Sequence, residues 1–523
     1  MKSTILALLI LLSLNSYAQN IAITKSNIFK DSKKNSSLSF SLEDENGGLV
    51  TIRQFNAGLM KRIKGYYIQH FDANLKLIKE KEYEVDNSYI KNAFIKDNKL
   101  HLIEYHLNKK SKKVSFKDVS ADLNKLIFSK KTFLSLSRDN QQQYFGILLP
   151  FVFISNYSQQ DGNHSGEVIM SKNNNFFVIN FDINNKNKET HRVFVYNNSF
   201  EKIYDQQIQK DIKDKLFKYN SIEIDDEDAS VYFLGKSFEN NSKRTKKNKR
   251  ANYHFELFKV TKSGQQNVSF KHSTRFISSL KLKKFKDRIA CVGFYGKMDD
   301  HRMNGVCLFN LNAETLAMEK KKFNPFTAEF LTDKYGNREG KKTRSKKKGI
   351  INVDFKSVYM LDNGDIILNA EEFYITTTTS VDANGNSTTR TTFHFDDIIS
   401  ARMSKDGDLK WARNINKRQT GFYNSSYTSI PVGENSYIFI NCSDKIRKRS
   451  ADRISFKQTN AKRSNLYMIK IDKNGIFDYK KLIDDKDSKV YYKVNNGNVN
   501  LQNQTVILTG KRTKKTRILK LKI

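Results

Sequence analysis

Apolar and aromatic residues alternate with polar ones in segment after segment of this chain. Residues 99–107 read KLHLIEYHL, 230–238 read SVYFLGKSF and 435–443 read NSYIFINCS. A period of two is the period of strands with one buried face. Helical periodicity is nearly absent. The best helix candidate is IQKDIKDKLFKY, residues 208–219, expected as a short connector.

The strands follow a fixed order: strand, tight turn, strand, basic or polar loop, strand, second tight turn, strand. The second turn recurs in FDANLKLIKEKEY (71–83), VYNNSFEKIYDQQ (195–207), VTKSGQQNVSF (260–270), FNLNAETLAMEKK (309–321), MSKDGDLKWARNI (403–415) and IDKNGIFDYKKLI (471–483). Asp, Asn and Gly gather there because hairpin turns need positive φ or side-chain caps on free backbone groups. A weaker turn, ADLNKLIF at 121–128, makes seven such hairpins. After the last, the chain supplies only three more strand-like segments, near YYKVNNG, QTVILTG and TRILKLKI. A fourth strand from NIAITKSNIF, residues 20–29, would close a ring and remove exposed sheet edges. The expected fold is therefore all-β, a β-propeller of eight four-stranded blades at about 63 residues per blade, with seven blades the alternative. Trp411, the sole tryptophan, falls in one of these outer hairpins and reads as scaffold rather than as a binding motif.

The turn around Asp406, Gly407 and Trp411 resembles turns in secreted β-propellers of Bacteroidota and in quinoprotein-type repeats. SKDGDLKW also resembles the sialidase Asp-box, but lacks the residue between Asp and Gly. The likeness covers single turns, so it implies the fold and brings no catalytic residue.

The N-terminus reads Met1-Lys2, an apolar run ILALLILLSL at 5–14, and a small-residue site at Ser16 and Ala18. This is the pattern of a signal peptide, residues 1–18, cleaved before Gln19. The run is shorter than the roughly 20 apolar residues of a membrane span. Residues 19–523 are expected to form a single propeller domain, periplasmic or secreted, with no lipid-bearing cysteine and no appended sorting domain. Cys291, Cys307 and Cys442 sit in apolar strand-like runs and are expected as buried core residues, a Cys291–Cys307 disulfide being the rival reading.

A formal net charge of +37 points to acidic partners or an anionic surface. The chain is also rich in Asn, Lys, Ile, Tyr and Phe, as AT-rich coding would favour, so the placement of charge matters more than its amount. Five runs stand out: Lys109, Lys110, Lys112 and Lys113; Lys243, Arg244, Lys246, Lys247, Lys249 and Arg250; Lys341, Lys342, Arg344, Lys346, Lys347 and Lys348; Arg447, Lys448 and Arg449; and Lys511, Arg512, Lys514 and Lys515. Four follow a second strand and precede a third. The run at 341–348 lies between one blade and the next. In a propeller these two kinds of connection open on one face, so all five are expected on a common basic rim. The opposite face receives mixed or acidic turns such as IDDEDAS (224–230), LDNGD and SKDGD.

Chemistry has few handles. The basic runs carry no aromatic platforms, so specific nucleic-acid recognition is not expected. MDDHR (298–302) and FHFDD (393–397) place His beside carboxylates, but adjacent strand residues face opposite ways, and the acidic stretch 225–228 lacks the alternating ligands of a calcium loop. No metal site, cofactor or nucleophile elbow is expected. YITTTTSVDANGNSTTRTTFHF, residues 374–395, reads as a protruding hairpin. The functional expectation is a non-enzymatic binding module for an acidic protein surface or anionic envelope component, for instance a periplasmic subunit or plug of an outer-membrane complex such as a secretion translocon. A glycan-binding or glycan-active propeller using its central funnel is the alternative.

Overall fold

The computed structural model describes residues 21–523 except 33–35, 58–61, 109, 138–165, 184–186, 248–249, 301, 338–348, 422–424, 451–452, 459 and 461–462. Its strands pair into eight four-stranded antiparallel units, the blades of a β-propeller. Blades 1 to 7 span residues 36–84, 88–137, 167–210, 217–270, 275–325, 353–420 and 427–483. Within each, strands A to D follow in chain order, and the A strands of neighbouring blades lie beside one another through blades 1 to 6.

Blade 8 is composite. Its innermost strand is split into Tyr491–Tyr492 and Asn498–Asn500 around a single 3-10 turn, Val494–Asn496. Strands Thr505–Arg512 and Lys515–Lys522 follow, and the outermost strand is Ala22–Lys25, in register with Lys522 back to Leu519. The N-terminal strand thus completes the ring, as the strand count predicts. Just beyond it, the buried carboxylate of Asp31 lies 2.9 Å from Arg53 in blade 1 and 3.2 Å from Lys511 in blade 8.

All seven predicted turns are C-to-D hairpins. Asp72 Oδ1 accepts from the amides of Asn74 and Lys76, Asn197 Oδ1 from Ser199 and Glu201, and Asp472 Oδ1 from Asn474 and Ile476, at 2.8–3.0 Å. Two ways of filling the left-handed position explain why the motif looks loose in sequence. Gly407 and Gly475 take it at φ 89° and 86°, whereas Leu75, Leu126, Phe200 and Leu316 take it at 51–64° and turn apolar side chains toward the blade junctions. Burial of those side chains offsets the roughly 1–2 kcal/mol that a Cβ costs in this conformation.

Trp411 is scaffold, as expected. It is 3 % exposed, packs with Ile438, Ile469 and Ile471 of blade 7, and its Nε1 donates to the Lys473 carbonyl. The three cysteines are buried and free, so the rival disulfide does not form.

One element departs from the sequence reading. Residues 208–219 are the end of strand Lys202–Lys210, a 3-10 turn Asp214–Leu216 and the start of strand Phe217–Ile224. Ile208, Ile212, Leu216 and Tyr219 have helical spacing, but Ile208 belongs to an outer strand and Tyr219 to the inner strand of the next blade. A helix forms instead at Ala328–Tyr335, capped by Thr327 Oγ1, which accepts from Phe330 N at 3.2 Å.

Candidate binding face

Because the strands alternate in direction, B-to-C loops and D-to-A connections emerge at one end of the ring, A-to-B and C-to-D turns at the other. Four of the five basic runs lie in B-to-C connections: Lys110, Lys112 and Lys113 in blade 2, residues 243–250 in blade 4, Arg447, Lys448 and Arg449 in blade 7, and residues 511–515 in blade 8. Lys109, Lys249 and the whole run from Lys341 to Lys348 fall outside the described residues. The flanking strands make the last of these a D-to-A connection, between Met318–Pro325 and Val353–Met360.

Within the runs, Lys110, Lys112, Lys113, Lys243, Arg244, Arg250, Arg512, Lys514 and Lys515 are exposed. None makes an ion pair with another described residue. The run in blade 4 is built on a short hairpin pairing Lys246 with Ala251 and Lys247 with Arg250. In blade 7, strand Arg447–Ser450 pairs with Arg453–Lys457, which lies parallel to the outer strand of blade 6, so this insertion straps two blades. Lys511 behaves differently from its neighbours: with its side chain largely buried, it turns onto Asp31 and Ser36 at the ring closure. Carboxylates on the same face are engaged locally. Asp444 and Asp484 share Lys481, Glu239 pairs with Lys271, and Asp300 with Arg302. Those two contacts raise the Lys481 ammonium above its ordinary range.

At the opposite end, two cations are tied across blades 5 and 6, Lys320 to Asp406 and Lys322 to Asp408 at 2.7 Å, and Lys410 meets Asp365 at 2.7 Å within blade 6. The acidic stretch 225–228 is a turn: Asp225 caps Glu227 N, Asp228 caps Ser230 N, and Lys284 pairs with Asp225.

The B-to-C connection of blade 6 is the predicted arm. Strands Ile366–Val381 and Ser387–Met403 continue past their neighbours as a two-stranded hairpin, Thr376 opposite Thr392 and Val381 opposite Ser387. Ile375 and Val381 are 50 % and 66 % exposed. The arm therefore rises from the same face as the basic loops. Its base is clamped by two lysines. Lys417 is wholly buried against Glu371, whose second oxygen accepts from Ser426 Oγ at 2.7 Å. Lys334, from the helix, bonds Glu372 at 2.8 Å and Asp397 at 3.0 Å. Burial pushes the Lys334 ammonium down, but the two carboxylates outweigh it and hold its pKa above the usual value. His394 stacks on Tyr374 and bonds Thr376, so FHFDD assembles no metal site among the described residues.

Sequence reasoning misses two groupings on this end of the ring. One is the lysine clamp, whose members are spread over residues 334–417. The other joins Asp182, Glu189 and His191 in blade 3. Only Glu-x-His, two residues apart at the start of a strand, gives any sign of it.

No known protein family matches the chain, and no curated protein is detectably similar to it. Solved structures that resemble it share its architecture at very low identity. The β-propeller domain of the Trilobed protease from Pyrococcus furiosus is 10 % identical over 87 % of this chain and 98 % of that one, with a TM-score of 0.37. The polysaccharide lyase Uly1 is 8 % identical over 83 % and 90 %, with a TM-score of 0.36. Prolyl oligopeptidase B from Galerina marginata is 7 % identical over 92 % of this chain but 55 % of its own, with a TM-score of 0.38. These resemblances correct one expectation. The inference from a missing nucleophile motif to a non-enzymatic protein does not stand, because chains of similar architecture include peptidases and a lyase. At these scores none of their activities carries over.

Proposed function

We propose that the face bearing the B-to-C loops is a docking surface for an acidic protein surface, and that the chain works in the periplasm as an exported subunit of an envelope assembly. The observation that supports this most is the clustering of exposed cations in the loops of blades 2, 4 and 8, none of which forms an ion pair with a described residue. Charges on separate blades reinforce one another only where their loops come within a screening length, about 8 Å at physiological salt, while the summed field steers an approaching polyanion. The threonine-rich arm adds two open strand edges between them.

The test is binding of a defined acidic polypeptide, polyglutamate, across a salt titration, with anionic vesicles and a neutral glycan in parallel. The expected result is polyglutamate binding that weakens steeply with salt and loses much of that slope when Lys243, Arg244, Arg250, Lys514 and Lys515 are reversed to Glu. Equal affinity in the reversed protein would reduce the runs to solubility loops. Preference for the vesicles would replace the protein partner with a lipid surface, and salt-independent binding of the glycan would move the site to the central funnel.

A further inference from the structure

The buried charged side chains near the ends of the B strands are nearly all satisfied. Arg53 in blade 1 meets Asp31, Glu104 in blade 2 accepts from Tyr83, Lys236 in blade 4 donates to the Ser278 carbonyl at 3.0 Å, and Glu371 in blade 6 meets Lys417. Blade 3 is the exception. Asp182 ends strand Phe176–Asp182 and lies directly opposite His191, on strand Glu189–Asn197. Residues paired across two strands share a face, and so do residues two apart on one strand. The register thus brings Asn180, Asp182, Glu189 and His191 together on one side of the sheet, toward blade 4. They are sealed there: Asp182, Glu189 and His191 are 1 %, 3 % and 1 % exposed, and the imidazole packs against the rings of Phe217 and Phe233.

Neither oxygen of Asp182 nor Nε2 of His191 has a hydrogen-bond partner among the described residues, and the Glu189 carboxyl is met by another acid, Asp214. Nε2 stands 2.8 Å from Glu189 Oε1 without the geometry of a hydrogen bond, and one ligand atom from each of the three side chains falls within 4.8 Å of the others. His191 Nδ1 is 3.1 Å from Asn180 Oδ1. If Nδ1 carries the proton, the amide oxygen accepts it and the Nε2 lone pair faces the carboxylates, the arrangement that orients a metal-binding histidine. Asp214, in the turn leading to blade 4, reaches the Glu189 carboxyl. Gathering these side chains in a sealed pocket without a compensating cation is costly, because buried polar groups left without partners bear their full desolvation.

We infer that Asp182, Glu189 and His191 form a buried site for a divalent transition-metal ion. One imidazole with two carboxylates suits Zn²⁺ or Mn²⁺ better than Ca²⁺ or Mg²⁺, which prefer oxygen alone. The ligands come from strands B and C of blade 3. Sealed as it is, the ion ties the ends of these two strands together on the face where the basic loops emerge. This inference is independent of the docking proposal.

The experiment is metal analysis of the untagged full-length chain after stripping with a chelator, refilling with Zn²⁺ or Mn²⁺ and dialysis. The expected content is about one ion per chain, with a melting temperature that falls on stripping and recovers on refilling. Glu189→Gln and His191→Gln should each abolish retention, and Asn180→Ala should weaken it about tenfold by freeing the imidazole. Glu189→Gln also removes a buried like charge, so the stripped variant should melt no lower than stripped wild type, which guards against reading simple misfolding as metal loss. Failure of the wild type to retain either ion would overturn the inference and leave a proton shared among the carboxyls. Retention undiminished in the variants would do so too, by placing the ion elsewhere, for example at Asp444, Asp484 and Asp485.

Discussion

Trp411 and Gly475 meet across the junction of blades 6 and 7 with no room for a side chain between them. A Cβ added to Gly475 would stand 2.8 Å from the Cβ of Trp411, and Gly475 also holds φ 86°. The indole of blade 6 lies on the C-to-D turn of blade 7, with its Nε1 bonded to the Lys473 carbonyl at 3.2 Å. Trp411→Ala should cost about 3–5 kcal/mol, the range for truncating a large buried aromatic. Gly475→Ala should cost at least about 1 kcal/mol from backbone conformation, with steric conflict added. Chemical denaturation followed by circular dichroism checks both. A wild-type midpoint in Trp411→Ala, with binding lost, would return this residue to the class of partner-contact groups.

Lys417 and Glu371 are both fully buried, so removing either takes away the bonded counter-charge of the other. Lys417→Met or Glu371→Gln alone should destabilise the protein by about 3–5 kcal/mol, and the double variant by less than the sum. Denaturation midpoints of the four proteins give the coupling. Additive losses would mean that the pair does not support the arm.

Acid should weaken the ring at its closure. Burial raises the Asp31 carboxyl, but the hydrogen bond and charge of Arg53, helped by Ser36 and Lys511, outweigh it and hold the pKa below the ordinary 3.8. A depressed folded value contributes stability above the unfolded pKa and loses it as pH falls through the folded one. Urea midpoints measured from about pH 6 down to about pH 3 should therefore drop less steeply in Asp31→Asn, which lacks this contribution at every pH, than in wild type.

The arm can be shortened without touching its clamp. Replacing residues 376–392 with an Asn-Gly turn should leave the melting temperature unchanged, because the removed segment pairs only with itself. Polyglutamate affinity should fall if the arm is part of the docking surface. Unaltered binding would restrict that surface to the lysine loops.

Burial pushes the thiols of Cys291, Cys307 and Cys442 far above their usual pKa. None should react with a thiol reagent in the native protein, and all three should react after denaturation.

The fold was legible because its information is local. Four of the seven C-to-D hairpins announce themselves through an Asp or Asn, Asp72, Asn197, Asn312 and Asp472, whose side-chain oxygen caps two backbone amides, and a strand order with one missing member pointed to Asn20–Phe29 for completion. The positions of the basic loops followed from strand alternation alone. What sequence could not supply depends on register. Asp182 and His191 meet only because two strands align at that pair, and a shift of one residue would send them to opposite faces. The clamp at Lys334 needed a helix whose signal, Thr327 before a single short apolar turn, is weak beside the strand pattern. Residues 208–219 misled because two strand ends and a 3-10 turn happened to reproduce helical spacing. The signal-peptide reading of residues 1–18 lies outside the described residues.

The pairing of Ala22–Lys25 with Leu519–Lys522 also sets an order on biogenesis. Among the described strands the first made by the ribosome waits for the last, so blade 8 keeps an unpaired border until residues 519–522 have emerged. That border is the longest-range strand pairing among the described residues and a slow one to form, which makes the interval before it zips shut the period when the newborn protein most needs a holdase.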